Sequence, residues 1–496
     1  MKSPVLRARR RPVALLAAGL AVAPSAFAQS APASSTLSET VVTATRIETR
    51  ADDLVSDVRV IDRRVIEAST ARSLPEILAR EAGLQMSANG GLGQNTSVFI
   101  RGTNGRHALL LVDGVRIGSA TAGTAPWEAV PLNLVERIEV LQGPASALYG
   151  ADAAGGVVQV FTRKGREGLH PHAVVTAGTF GHGQLGAGLQ GGQGDLRYSL
   201  GVQRLKERGI SATNAVQTYD YDADRDGFRQ DTLNASVRYA LPRGWQLDAA
   251  LMYADGVNRF DDGAGVNTRS AVRSVTPQAG LQGRITLGWT TELRVSRNED
   301  VNHPIASSYG SDPVTTRQTH WNWQNTVDSP WGVVLAGLER RDQDVVSTTN
   351  YAVKERRVDS AFVGINGQSG PSSWQFNARR DVNSQFGDSN TALAGYALRL
   401  SPQWRVSGSW GTTFVAPSFN DLYYPGYDNP SLRPEHGVSR ELAVAWSQGA
   451  TQAKLVRFDN RIRDMIVSSA PSYRPQNVGR ARLQGWSLTG QSRVGA

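Results

Sequence analysis

Residues 232–254 read TLNASVRYALPRGWQLDAALMYA. In the first half Leu233, Ala235, Val237, Tyr239 and Leu241 alternate with smaller or polar residues. In the second half Trp245, Leu247, Ala249, Leu251 and Tyr253 do the same. A period of two gives each segment one apolar and one polar face, the signature of a strand with unlike sides. Between them LPRG (241–244) reads as a tight turn, so the stretch is a hairpin.

The pattern extends from about residue 172 to the C-terminus, for instance in LQGRITLGW (281–289) and TALAGYALRL (391–400). The connections alternate as well. GWTT (288–291), DSPWG (328–332), SPQ (401–403) and SQGA (447–450) are short, whereas the segments near 206–229, 256–273, 300–314 and 416–437 are long. Short turns at one end, long loops at the other and aromatic residues near strand ends predict a transmembrane antiparallel barrel. A soluble sandwich is the alternative, but its connections have no reason to alternate in length. About sixteen strands are expected before Ala496, with no closing aromatic strand after them. An open barrel would leave an unpaired edge in lipid, so either the barrel closes at about sixteen strands or the chain is truncated.

The N-terminus fits this reading. Lys2, Arg7, Arg9, Arg10 and Arg11 precede the apolar run VALLAAGLAV (13–22), and Ala26-Phe27-Ala28 forms a small-residue cleavage site. Residues 1–28 are therefore expected to be a secretory signal peptide. Their removal takes the formal charge from +9 to +4, so basicity gives no argument for nucleic acid. The chain has no cysteine, which excludes disulfides and thiolate chemistry.

Residues 29–50 read as a flexible leader in which ETVVTAT (39–45) is a strand-prone island with nothing local to pair with. Residues 51–165 read as a compact α+β domain, with a helix in SLPEILARE (73–81) capped by Ser73. Its end, LQGPASALYGADAAGGVVQVFT (141–162), is rich in glycine. It lacks the Lys-Ser/Thr of a phosphate loop and the G-x-G-x-x-G of a dinucleotide site. These glycines are expected to be backbone devices for turns and close packing.

An α+β domain ahead of a barrel resembles the TonB-dependent outer-membrane receptors. RIEVLQGPASALYGADAAGGVVQVFT (137–162), FIRG (99–102) and LLLVDGVRI (109–117) are similar to the end of that family's plug domain. TTFVAPSFNDLYYPGYDNPSLRPEHG (412–437) is similar to one of its long-loop signatures. Within the family, NGGLGQNTSVFIRGTNGRHALLLVDGVRI (89–117) and RDVNSQFG (380–387) most resemble the branch that takes up cobalamin. The resemblance implies a plug (51–165) inside the lumen of a barrel (172–496). Family barrels have about 22 strands, so roughly six would lie beyond Ala496.

The same resemblance implies the roles of particular residues. Glu39, Thr40, Val41, Val42, Thr43 and Ala44 resemble the TonB box, a segment that a partner grips by strand addition; an ordinary first plug strand is the alternative. Gln94, Asn95, Thr96, Ser119, Thr121, Thr124 and Trp127 on the plug loops would meet the substrate, with Tyr423, Tyr424 and Tyr427 closing over it. Arg101 would pair with Glu441 to tie plug to wall, more weakly than in relatives with a basic residue where this chain has Gln142.

The loop YDYDADRDGF (219–228) carries Asp222, Asp224, Asp226 and Gly227 in a D-x-D-x-D-G order that suits calcium, a cation that prefers hard oxygens. The closing Glu of an EF-hand is absent, since that position is Leu233. The resemblance implies calcium-ordered loops here, with Asp220, Asp222, Asp224 and Asp226 completed by Asp255, Asp261 and Asp262 in the next long loop. A plain solvated acidic loop is the alternative.

The expectation is thus a monomeric receptor in outer-membrane lipid, with TonB as partner and cobalamin as substrate. A ferric siderophore or another metal chelate is the rival ligand. An enzyme is not expected. The seven histidines include one close pair, His170 and His172, but no H-E-x-x-H or G-x-S-x-G context exists. A passive porin is disfavoured by the plug.

Overall fold

The computed structural model describes residues 41–42, 45–50, 53–216, 221–308 and 310–492. The signal segment, Glu39, Thr40, Thr43, Ala44 and Asp220 lie outside the described residues.

Sixteen strands, from Gly168–Ala177 to Pro475–Gln491, form one antiparallel sheet in which each pairs with its neighbours in the chain. Hairpins alone build it, so its order follows directly from the short turns. Those turns span two to four residues, as at 242–244, 287–288 and 330–331. The connections at the opposite end include 208–227, 260–268, 306–313 and 416–434. Among the described residues the sheet is open, since its first and last strands each have one neighbour.

The strands are inside out relative to a soluble protein. On Phe228–Leu241 the buried side chains include Gln230, Thr232 and Asn234, while Val237 and Tyr239 are exposed. Leu247, Leu293, Trp323, Leu338, Phe376 and Tyr396 continue the exposed apolar belt. Trp289, Trp331 and Trp404 stand exposed beside the short turns, where amphipathic rings anchor a barrel at the headgroups. No helix is long and apolar enough to cross a membrane.

Several strands run further than the hydrophobic pattern indicated. Trp245–Arg259 takes in Asp255, and Trp289–Ile305 runs past residue 300. Beyond the lipid both faces of a strand are polar, and alternation no longer marks it.

The plug lies in the lumen as a five-stranded sheet in the order Asp57–Asp62, Val135–Gln142, Gly156–Thr162, Ala108–Val112, Val115–Ile117. Only the pair Gly156–Thr162 and Ala108–Val112 is parallel. Helix Leu74–Ala82 begins at Ser73, whose hydroxyl accepts from the Glu76 N–H, and ends at the left-handed Gly83. Its Leu74, Ile77 and Leu78 are fully buried against Ile61, Ile100, Leu110 and Ile138. Each such side chain contributes about 1.5–3 kcal/mol.

The glycine-rich segment packs closely, as expected. Gly143 sits at φ 109°, and a Cβ there would run into the Glu441 carboxylate. A Cβ on Gly156, at φ 155°, would run into the Leu141 carbonyl. The island at Val41–Val42 does have a local partner. It pairs antiparallel with Thr49–Arg50, a two-residue match too short to stand out in the sequence.

Candidate functional site

The functional region is the boundary between plug and wall. Arg101 follows the plug strand Thr96–Phe99 and takes a left-handed conformation (φ 53°) that turns it outward. Its guanidinium pairs with Glu441 on the wall and, at 2.6 Å, with Asp57 on the plug. Asp57 also takes Lys454 of the wall at 2.6 Å. Burial pushes the Asp57 carboxyl up, but Lys454 and Arg101 outweigh it and hold the group below its usual range. Lys454 thus supplies a cation on a wall strand, which local motif reading could not find. Gln142 instead donates to the Ala82 carbonyl.

Just after the strand Val41–Val42, Arg46 reaches Glu339 on the wall at 2.6 Å and lies over the rings of Tyr149 and Phe362. Glu339 also takes Arg379 at 2.6 Å. On the turn side of the barrel a polar cavity of about 1140 Å³ separates plug and wall, lined by Arg46, Asp113, Arg137, Asp248 and Arg294 among others.

At the loop side, the plug segment after Ile117 meets the long loop 416–434. Helix Phe419–Tyr423 docks there: the Phe419 and Asn420 N–H groups donate to the carbonyls of Ala120 (3.1 Å) and Thr121 (3.0 Å). Ser418 and Asp421 cap that helix reciprocally, and Asp421 pairs with the plug's Arg106 at 2.7 Å. The Tyr351 hydroxyl donates to Asn420 at 2.6 Å, and its ring meets Tyr424 edge-on at 6.1 Å. Loop 416–434 is therefore already folded onto the plug. Ser119 and Thr121 face Thr316 of the wall, and Tyr423 packs against Phe419.

The expected substrate residues divide. Trp127, only 1% exposed, is a core residue of the plug and cannot be a stacking platform; its apolar body is worth more buried. Gln94 is buried and donates to the Arg259 carbonyl, and Thr96 is buried and donates to the Gln94 carbonyl. Thr121 is likewise buried against the wall. Asn95 is exposed, and Ser119, Thr124, Tyr423, Tyr424 and Tyr427 are partly so. Tyr427 reaches Ser468 at 2.7 Å.

The acidic residues divide as well. Carboxylate oxygens of Asp224, Asp226 and Asp261 all lie within 4.8 Å of one another. Asp226 accepts from the Ala212 N–H at 2.6 Å, and Asp261 accepts from Thr213 through one oxygen while its Oδ1 is buried without a partner. Burial, followed by the neighbouring Asp261 and Asp224 charges, pushes Asp226 up to about 6 against the lowering effect of Ala212. Converging hard oxygens, one of them unpartnered, fit a divalent cation of the calcium kind. Asp255 does not join them: it lies on a strand and pairs with Arg273 at 3.2 Å. Asp262 turns instead to Ser307 and Ser308, which donate to it at 2.6–2.8 Å. The Asp222 carbonyl accepts from Ser211, and its carboxylate is outside the cluster.

An apolar outer belt, a polar lumen and a folded plug inside it define a gated outer-membrane receptor barrel. The chain belongs to the TonB-dependent receptors: residues 50–157 match the TonB-dependent Receptor Plug Domain, and residues 171–495 match the TonB dependent receptor-like beta-barrel. It is an outer-membrane transport protein and not an enzyme.

A Vitamin B12 transporter BtuB of Photobacterium profundum is 33% identical over 433 residues, covering 86% of this chain and 71% of the relative. One from Vibrio cholerae is 28% identical over 441 residues, covering 87% and 71%. Among solved structures, a variant of the ferric enterobactin receptor PfeA of Pseudomonas aeruginosa with enterobactin superposes with TM-score 0.74 at 18% identity, covering 87% and 78%. The siderophore receptor PirA of Acinetobacter baumannii gives 0.71 at 18%, covering 88% and 78%.

Proposed function

We propose that the protein binds cobalamin at the cell surface and admits it to the periplasm when TonB draws on the plug. The observation that carries this reading is the 33% identity to a vitamin B12 transporter across 86% of the chain. The likeness to siderophore receptors, at 18%, speaks for the fold alone.

In this reading Glu39–Ala44 are the TonB box. A partner strand adds to its backbone, and force passes from Arg46 into the plug. Asn95, Ser119, Thr124, Tyr423, Tyr424 and Tyr427 offer neutral hydrogen bonds and apolar faces, which suit a bulky amide-rich ligand. Asp224, Asp226 and Asp261 hold a calcium ion that orders loops 208–227 and 260–268. The receptor acts as a monomer in outer-membrane lipid. A ferric siderophore or another chelate is the rival ligand.

The test is cobalamin binding to cells in which the inserted protein has been detected, with calcium, with chelator, and with ferric siderophores as competitors. Tight binding that siderophores do not displace is expected. Absence of cobalamin binding, with retention of a siderophore, overturns the ligand assignment.

A further inference from the structure

Two small cavities, of about 40 and 60 Å³, lie between the plug and the wall strands Gly332–Ser347, Glu355–Ser369 and Ser372–Asn383. Each is roomy enough for a few waters or a small ion. Six arginines line them, namely 46, 106, 116, 341, 356 and 379. The carboxylates are fewer. Glu339, Asp152 and Asp381 line the cavities, and Asp421 stands beside Arg106. Six cations against four anions leave two in excess.

The geometry identifies which two. Arg46 and Arg379 share Glu339, and Arg379 also takes Asp381 at 2.8 Å. Arg116 takes Asp152 at 2.8 Å, and Arg106 takes Asp421. Among the described residues, Arg341 and Arg356 have no ion pair. The Arg341 Nε and the Arg356 Nη2 are buried with no hydrogen-bond partner. Arg356 is 6% exposed; it spends Nε on Gln385 at 2.7 Å and lies over the Phe419 ring at 4.6 Å. Arg341 lines both cavities, and Arg356 lines the larger one with it. Arg116, on the plug, faces the same space, and burial followed by the nearby Arg341 lowers its pKa to about 9.

A buried guanidinium without a counterion is among the costliest arrangements a protein can hold. We propose that Arg341 and Arg356 of the wall, with Arg116 of the plug beside them, form a site for a small oxyanion, a phosphate-type group whose oxygens accept from the guanidinium forks. The anion bridges plug and wall, and so contributes to holding the plug until it is pulled. The site does not depend on which ligand the receptor imports. Its occupant is either free inorganic phosphate or an anionic group of the imported ligand, such as the phosphodiester of cobalamin.

The experiment is binding of radiolabelled inorganic phosphate to the full chain purified in detergent, at constant ionic strength with chloride as the balancing anion. Saturable binding of one phosphate per chain is expected. Arg341→Gln should weaken it tenfold or more, Arg341→Lys should weaken it less, and the exposed Arg243→Gln should leave it unchanged. Because Arg341 has no carboxylate to abandon, the Gln variant is expected to fold. Added cobalamin separates the sources: displaced phosphate places the ligand's phosphodiester in the site, and undisplaced phosphate assigns it to the free anion. Either result is consistent with the site. No saturable binding, or wild-type affinity in both Arg341 variants, overturns the proposal whatever the imported ligand proves to be.

Discussion

The guanidinium of Arg106, on the plug, lies 2.7 Å from the carboxylate of Asp421, on the short helix of the outer loop 416–434. Both groups are largely buried, so this contact fastens the loop to the plug. Burial pushes Asp421 up, but Arg106 and Ser418 outweigh it and hold the carboxyl below its usual range. A lowered folded-state pKa means that the stabilisation is fully present above the unfolded value of about 3.9 and is lost as pH falls through the lower folded one. The latch should therefore be unaffected between pH 7 and 5 and should release only in strong acid. Arg106→Ala leaves Asp421 buried without its cation, a change that costs about 3 kcal/mol or more. Hydrogen exchange across residues 416–434 should accelerate markedly; unchanged protection would show that the backbone bonds to Ala120 and Thr121 suffice.

Arg46, just after the strand Val41–Val42, ties this stretch of the chain to the wall through Glu339. Arg46→Gln removes the charge but leaves Glu339 paired with Arg379, so the wall should stay intact. A nitroxide on a cysteine introduced at Thr49 should become more mobile in this variant, while surface ligand affinity stays within about twofold. An unchanged spectrum would mean that the pairing of Val41–Val42 with Thr49–Arg50 is the stronger restraint.

The barrel was legible in residues such as Val237 and Tyr239, because lipid on one side and lumen on the other impose a strict period of two. The site was legible only where it depends on local order. Asp224 and Asp226 alternate on one loop, and Asp261, distant in sequence, was found by its place in the next loop. Asp255 and Asp262 looked equivalent to Asp261, but a strand extension and two serines claim them. Trp127 was misplaced because a tryptophan in a loop-like context reads as a platform until its packing is known. Asp57, Lys454, Arg341 and Arg356 carry no motif at all. Their roles arise from which wall position stands opposite which plug position, a register that spans hundreds of residues.

The TonB-box reading makes a separable prediction. Strand addition relies on backbone N–H groups, and proline has none. Val42→Pro should abolish uptake while cobalamin binding to intact cells is retained. Retained uptake would make Val41–Val42 an ordinary plug strand and would move the point of attack elsewhere in the leader.

The aspartate cluster yields a pH dependence with a definite sign. Asp226 is raised to about 6, first by burial and then by the Asp261 and Asp224 charges, against the lowering effect of the Ala212 N–H. A carboxyl with a raised folded-state pKa favours the protonated form, so the cation-free loop loses stability as pH rises from about 4 through 6. A bound divalent cation reverses this by taking the deprotonated form, and protons then compete with it. Calcium affinity should be flat above about pH 7 and should fall by roughly tenfold per unit below 6, where one proton is displaced per ion. Asp261→Asn removes a charge while keeping the acceptor bonded to Thr213. It should weaken calcium by about tenfold or more and bring Asp226 back toward its ordinary value. Calorimetric titration of calcium at pH 5.0 and 7.5, on wild type and variant, reads both effects. Equal affinity at the two pH values, or in the two proteins, would leave the three aspartates as a solvated acidic loop.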